Sequence, residues 1–166
     1  MRAIARRARV DPSLIVHYFG TKEGLLEQAL VLPVNPAQLL AERLADVPDD
    51  QLGIELVRLV LGVWEQPTVR PRLQSMLRTA ISHDLAMTML RQMLQRTVIT
   101  AVSRLTDADS GQQRAELVGS QMAGLALTRY LIGLPTLAAM TVDEVAEAVG
   151  PAVQHYLSGT IRSPLD

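Results

Sequence analysis

Basic and polar side chains that can hold DNA are concentrated in the first 26 residues of this chain. A basic stretch over 2–8 and a second stretch over 12–18 predict two short helices joined by a tight turn. In a helix-turn-helix the second helix enters the major groove, and flanking polar groups contact phosphates. The candidate DNA-binding residues are Arg2, Arg6, Ser13, Val16, His17, Tyr18, Thr21 and Lys22.

Several of these side chains suit a particular contact. His17 and Tyr18 can donate hydrogen bonds to phosphate oxygens, and Lys22 adds a point charge in the first turn of the next helix. Thr21 is predicted to cap that helix, whose free N–H groups form another phosphate site. The apolar residues predicted to pack inward beneath them are Ala3, Ile4, Ala8, Val10, Leu14, Ile15 and Phe19.

Charge is distributed unevenly along the 166 residues. Residues 1–24 hold five basic and two acidic side chains, although the whole chain has a formal net charge of −1. A basic end on an acidic body suits a local phosphate contact, and it equally fits a solvated charged helix. Charge therefore permits a DNA contact without deciding for one.

The chain has no cysteine and 48% hydrophobic residues, which indicates a globular protein without disulfides or thiolate metal sites. The basic start has no apolar run behind it, so we expect no signal peptide. The longest uncharged run in the apolar helix near the C terminus, Leu117–Thr128, is too short to span a bilayer. We expect a cytoplasmic protein with no membrane partner.

Apolar residues recur at helical spacing throughout, and no stretch alternates as a strand does. We therefore predict an all-α fold, with a partial helix-turn-helix domain over 1–33 and a helical regulatory and dimerisation domain over 34–166. Capping residues precede several helices, as at Asp11-Pro12, Asp49-Asp50 and Thr141 to Glu144. The predicted helices, about nine in number, span 2–8, 12–18, 22–31, 36–47, 50–65, 71–82, 85–106, 112–133 and 142–158.

The last two predicted helices carry more apolar surface than a chain of this size can cover. Residues 117–134 are apolar on nearly all faces, and the final helix adds a stripe of valines. A second copy would cover both helices and complete a four-helix interface in a homodimer. Pro151 is expected to kink the final helix, because it removes the bond to the carbonyl of Glu147. The candidate interface residues are Leu117, Gln121, Gly124, Leu125, Val145, Val149, Val153 and Tyr156.

Several methionines can either line a pocket for a small apolar or amphipathic ligand or simply pack in the core. Arg129 is more informative, because an unpaired cation in an apolar helix is very costly. Arg129 either pairs with a ligand anion, pairs with a carboxylate such as Glu65 or Asp84, or reaches solvent at the edge of a dimer. The candidate ligand-binding residues are Trp64, Met76, His83, Met87, Met93, Met122 and Arg129.

Enzymatic chemistry finds little support in the sequence. Ser82, His83 and Asp84 have catalytic residue types, but neighbours on one helix point apart. The three histidines are too scattered for a metal site, and no glycine fingerprint for a dinucleotide occurs. We expect neither an enzyme nor a bound cofactor or metal.

The stretch from Arg2 to Leu26 resembles the DNA-binding motif of TetR-family transcriptional regulators, and its most specific part runs from His17 to Glu23. The resemblance implies a homodimer on a palindromic operator, released by a small ligand in the C-terminal domain and usually acting as a repressor. The family's motif has a further helix before this stretch. We therefore expect the chain as given to lack the first helix of the DNA-binding domain.

Two residues depart from the family's pattern. Arg9 stands where the turn usually has glycine, and a left-handed backbone there would cost about 1 kcal/mol. Val16 occupies a position often held by tyrosine, which removes one DNA contact. Together with the missing helix, these departures predict weak DNA binding or none. They leave a second interpretation open, a dimeric helical ligand-binding protein that derives from such a regulator and has lost DNA binding.

Overall fold

The computed structural model describes residues 1–21, 24–25, 28, 36–95, 102 and 111–161, and all regular structure in these ranges is helical. This confirms the predicted all-α fold class. The α-helices with defined bounds in these ranges are α1 (Arg2–Ala8), α2 (Pro12–Phe19), α3 (Pro36–Leu44), α4 (Leu52–Trp64), α5 (Arg70–Ser82), α6 (Asp84–Leu94), α7 (Gly111–Ala126), α8 (Pro135–Ala139) and α9 (Val142–Ser158).

Two long predicted helices are described only in part or change their winding along the way. The helix predicted over 112–133 is α7 only as far as Ala126, and a π-helical turn over Leu127–Ile132 continues it. The helix predicted over 85–106 is α6, which ends at Leu94, while residues 96–101 and 103–110 lie outside the described residues. Most of the helix predicted over 22–31 also lies outside them, although Gly24, Leu25 and Gln28 are helical.

Capping side chains start two of the helices as predicted. Asp11 caps α2 by accepting from the Ser13 N–H, and Thr141 and Glu144 form a reciprocal capping box at the start of α9. The predicted cap of α4 by Asp49 and Asp50 is wrong, because these residues form a short 3-10 turn over Asp49–Gln51.

The start of α4 is instead satisfied from α9. The Gln154 side-chain oxygen accepts from the Gly53 N–H at 2.7 Å, and the Gln154 side-chain nitrogen donates to the Asp49 carbonyl at 2.8 Å. A similar contact ends α9, where Arg114 of α7 donates to the carbonyls of Tyr156 and Gly159 at 2.8 and 2.9 Å. Side chains from distant elements therefore complete both helix ends.

The core lies where α4 packs along α9. Val57 and Leu61 of α4 and Val145 and Val153 of α9 are completely buried there. Residues of α5 and α7 extend this core on its other sides. Pro151 lies within α9, which continues to Ser158.

None of the described helices is both long and apolar enough to cross a membrane. Among the described residues, no three histidine or acidic side chains gather in a way that would hold a metal ion.

Candidate nucleic-acid interface

The turn between α1 and α2 is built around Arg9. Its backbone has φ 56° and ψ 41°, which is the left-handed conformation expected at this position. The Arg9 N–H donates to the Arg6 carbonyl at 3.3 Å, and the Val10 N–H donates to the Ala5 carbonyl at 3.0 Å. This pair of bonds is a Schellman motif, which ends α1 and directs the chain into α2.

α2 buries one side chain and exposes most of the others. Ile15 is 5% exposed, whereas Val16 and Tyr18 are 50% and 69% exposed. Ser13 and His17, one helical turn apart, are exposed on the side away from Ile15. The four candidate DNA-binding side chains of α2 therefore lie on the surface.

The inward packing differs from the prediction. Ala5 is the buried residue of α1, whereas Ala3, Ile4 and Ala8 are exposed. Val10 and Leu14 are 42% and 48% exposed. Among the described residues of the helix-turn-helix domain over 1–33, called the head below, only Ala5 and Ile15 are buried. Two helices this short cover little of each other's surface when they pack as a pair.

An open groove lies between the start of α1 and the exposed side of α2. Its lining residues are Met1, Arg2, Pro12, Ser13, Leu14, Val16 and His17. Beside it, Ser13 donates its hydroxyl and its N–H to the same Asp11 oxygen, at 2.5 and 2.7 Å. These two bonds, the hydroxyl bond first, stabilise the carboxylate and hold the pKa of Asp11 below its usual value.

Four arginines give this part of the chain positive charge, and one of them, Arg2, lines the groove itself. Arg2, Arg6, Arg7 and Arg9 are all exposed, and no carboxylate of the described residues forms an ion pair with them. Free guanidinium groups of this kind suit phosphate oxygens, which they bind through two parallel hydrogen bonds.

Two predicted DNA-contact residues, Thr21 and Lys22, follow α2. Thr21 caps the next helix, since its side-chain oxygen accepts from the Gly24 N–H at 3.0 Å. Lys22, the remaining predicted contact, lies outside the described residues.

A second polar cluster lies in the regulatory part of the chain, around the buried Arg129. The guanidinium is 6% exposed, and its Nε and one terminal nitrogen donate to a Glu65 oxygen at 3.1 and 3.0 Å. It also donates to the backbone carbonyls of Leu137 and of Met140. Of the partners left open by the sequence, the structure therefore contains the Glu65 carboxylate.

Tyr130 belongs to the same cluster. Its hydroxyl donates to Glu65 at 3.0 Å, and its ring meets Trp64 edge-on with the centroids 6.0 Å apart. The guanidinium groups of Arg70 and Arg129 lie 5.4 and 5.7 Å from the ring centroid. Burial, and then the neighbouring Glu65 charge, raise the pKa of Tyr130 to about 12.

The other predicted ligand-binding residues fall into two places. Met76 and Met122 are buried in the core, and Trp64 packs against the same cluster. His83 and Met87 are exposed at the junction of α5 and α6 and do not join that cluster. Met93 lies in α6, but its side chain is outside the described residues.

Comparison with known proteins identifies the lineage. Residues 50–157 match the family described as tetracyclin repressor-like, C-terminal domain, and residues 1–29 match bacterial regulatory proteins of the tetR family. The chain belongs to the TetR family. A TetR-family regulator from Streptomyces coelicolor with a crystal structure is similar to it, with 34% identity, a TM-score of 0.59, and coverage of 93% of this chain and 80% of that chain. No curated protein matches it significantly.

In this TetR-family chain, the predicted dimer-interface residues divide by burial. Val145, Val153 and Leu125 are 0%, 0% and 6% exposed, because they face the chain's own core rather than its surface. They cannot contact a second copy directly in this arrangement, which corrects that part of the prediction. Gly124 is exposed, and the partly buried remainder are Leu117, Gln121, Val149 and Tyr156.

Sequence reasoning missed several residues that the structure brings to the surface or into the polar cluster. Ser120 of α7 is exposed beside the small residues Ala123 and Gly124, which are also exposed. Arg70 donates to the second Glu65 oxygen at 2.9 Å. A tyrosine directly after Arg129 in an apolar helix was the one local signal for the polar cluster.

Proposed function

We propose that this TetR-family regulator binds a palindromic operator as a homodimer and acts as a repressor in the cytoplasm. In this proposal, a DNA-binding domain over 1–33 precedes a regulatory domain over 34–166, and a small apolar or amphipathic ligand in the latter releases the DNA. The protein carries out no enzymatic reaction.

One observation supports DNA binding above the others. The exposed polar face of α2 lies against a groove that Arg2 also lines. Arg6, Arg7 and Arg9 are exposed in the same helix-turn-helix segment, and no carboxylate of the described residues pairs with them. A helix that presents polar side chains beside free guanidinium groups matches what a major groove and its flanking phosphates require. Ser82, by contrast, donates its hydroxyl to the Arg78 carbonyl of its own helix at 3.0 Å, which does not suit a nucleophile.

Fluorescence anisotropy tests this directly. The affinity for a labelled duplex that the protein enriches from a randomised pool should fall steeply between about 50 and 200 mM salt. Arg2→Ala and Arg6→Ala should each weaken binding to all sequences and reduce the salt slope by about 1. Arg72→Ala, which removes an exposed arginine of α5, is the matched control and should change neither.

The outcome also separates the two interpretations of the lineage. Ligand binding by a dimer that enriches no DNA sequence would overturn the operator-binding proposal. It would favour the alternative of a dimeric helical ligand-binding protein that has lost DNA binding.

The proposed homodimer rests on α7 and α9. The exposed small residues Ser120, Ala123 and Gly124 allow a second helix to approach closely, as a four-helix interface requires. Gly124→Arg should therefore separate the subunits in sedimentation-velocity measurements. Gly62→Arg is the control, because Gly62 is exposed on α4 and a side chain there meets open space.

The proposed ligand lies beside the single tryptophan. Trp64, Met76 and Met122 contact one apolar cluster, and methionine side chains adapt readily to apolar ligands. A compound that releases operator DNA should therefore change the emission of Trp64. Native mass spectrometry that finds no bound molecule, together with no compound that releases DNA, would contradict a sensor role.

A further inference from the structure

The exposed face of α2 carries none of the side chains that make paired hydrogen bonds to a base edge. In the major groove, arginine or lysine reads guanine, asparagine or glutamine reads adenine, and an acidic side chain accepts from cytosine. The exposed residues of α2 are instead Pro12, Ser13, Leu14, Val16, His17 and Tyr18. Direct base readout by α2 is therefore limited to single hydrogen bonds and to apolar contacts.

Two aliphatic side chains flank the polar centre of this face. Leu14 and Val16 are 48% and 50% exposed, and with about 100° between successive residues they lie on either side of Ser13 and His17. The Ser13 hydroxyl already donates to Asp11 at 2.5 Å, so its proton is not available to a base. Beside the hydrogen bonds that His17 and Tyr18 can donate, this face therefore offers bases apolar contact.

The charge around these side chains favours one occupant. Leu14 and Val16 line the same groove as Arg2, in a head where Arg6, Arg7 and Arg9 are also exposed. This concentration of positive charge is complementary to a DNA backbone. In the major groove, the apolar group that an aliphatic side chain meets is the C5-methyl of thymine.

We propose that Leu14 and Val16 read thymine methyl groups, so that α2 selects half-sites by the thymines they contain. The inference rests on the proposed function and adds the base class that the reading head recognises. It also assigns Val16 an apolar contact with a base.

The test replaces thymine by uracil, one position at a time, in the duplex that the protein enriches from a randomised pool. Uracil keeps every hydrogen-bonding group of thymine and lacks only the methyl. One or two such replacements in each half-site should weaken binding about fourfold each, as expected for one apolar carbon removed from a contact. Val16→Ser removes both methyl groups of the side chain and should abolish the sensitivity at one position. Leu14→Asn should abolish it at another.

Ile81→Ser is the matched control, because Ile81 is 62% exposed on α5, outside the DNA-binding domain, and its replacement should leave the uracil sensitivity unchanged. The inference is overturned if no uracil replacement weakens binding by more than about twofold, or if both variants keep the wild-type sensitivity. A pool that yields no enriched sequence overturns the proposed DNA binding itself and this inference with it. An enriched duplex that is indifferent to uracil overturns this inference alone.

Discussion

Gly53 of α4 and Gly150 of α9 meet backbone to backbone where the two helices cross. A Cβ added to Gly53 would lie 2.4 Å from the Gly150 carbonyl oxygen and 2.5 Å from the Gln154 nitrogen. A Cβ on Gly150 would lie 2.5 Å from the Ile54 side chain and 2.6 Å from the Ile54 Cα. The helices therefore approach as closely as they do because neither carries a side chain at the crossing.

Gly53→Ala should lower the free energy of unfolding by about 3 kcal/mol, because the added methyl meets backbone that cannot move without separating α4 from α9. Urea denaturation followed by circular dichroism measures this. Gly62→Ala in the same helix is the control, since nothing lies within 4 Å of its added Cβ. It should raise stability by up to about 1 kcal/mol through helix propensity alone. Equal effects of the two substitutions would refute the close-packed crossing.

Glu65→Ala should destabilise the protein by about 3 kcal/mol. The substitution removes the only carboxylate that the described residues place on the buried Arg129, and an unpaired buried cation is far more costly than a lost surface pair. Arg70→Ala removes a partner of the same carboxylate whose side chain is 46% exposed, so its cost should stay below about 1 kcal/mol. Thermal unfolding of both variants provides the comparison. Similar losses in both would show that Arg129 does not depend on Glu65.

Stability should fall as the pH rises through the alkaline range. In the unfolded chain Tyr130 ionises near 10.0, whereas its folded pKa is raised to about 12. The raised pKa therefore contributes a stabilisation of up to about 3 kcal/mol, which is fully present below pH 10 and is lost as the pH rises towards 12. Urea unfolding at pH 9, 10 and 11 should show this slope in the wild type. Tyr130→Phe, which cannot ionise, should show a shallower slope, and an unchanged slope would contradict the assignment.

Local signals explain why some of the fold was predictable from the sequence. Helix starts are predictable at Asp11 before Pro12 and at Thr141 three residues before Glu144. In both cases the side chain accepts a hydrogen bond from a backbone N–H two or three residues later. The left-handed Arg9 was expected only from the resemblance to the TetR family, whose members usually have glycine at this position of the turn.

Long-range packing explains what the sequence left open. The partner of Arg129 lies 64 residues away in the chain, and no local pattern distinguishes Glu65 from the alternatives. A valine stripe on α9 shows that one face is covered, but it does not show whether α4 or a second copy covers it. Val145 and Val153 turn out to face α4. The crossing at Gly53 decides this, because it brings α9 against α4 along its length.

Arg9→Gly should stabilise the reading head. Arg9 is exposed and has φ 56°, a conformation that costs a residue with a Cβ about 1 kcal/mol and costs glycine little. Since glycine is also more flexible in the unfolded chain, we expect a net gain of about 0.5 kcal/mol. Arg9→Ala is the control, because it removes the same charge and keeps the strained backbone. Hydrogen exchange of the α1 and α2 amides should slow in the glycine variant relative to the alanine variant.

Operator affinity should differ less between these two variants than between either and the wild type, because both have lost one phosphate-binding charge. Faster exchange in the glycine variant would show that the left-handed turn carries no strain.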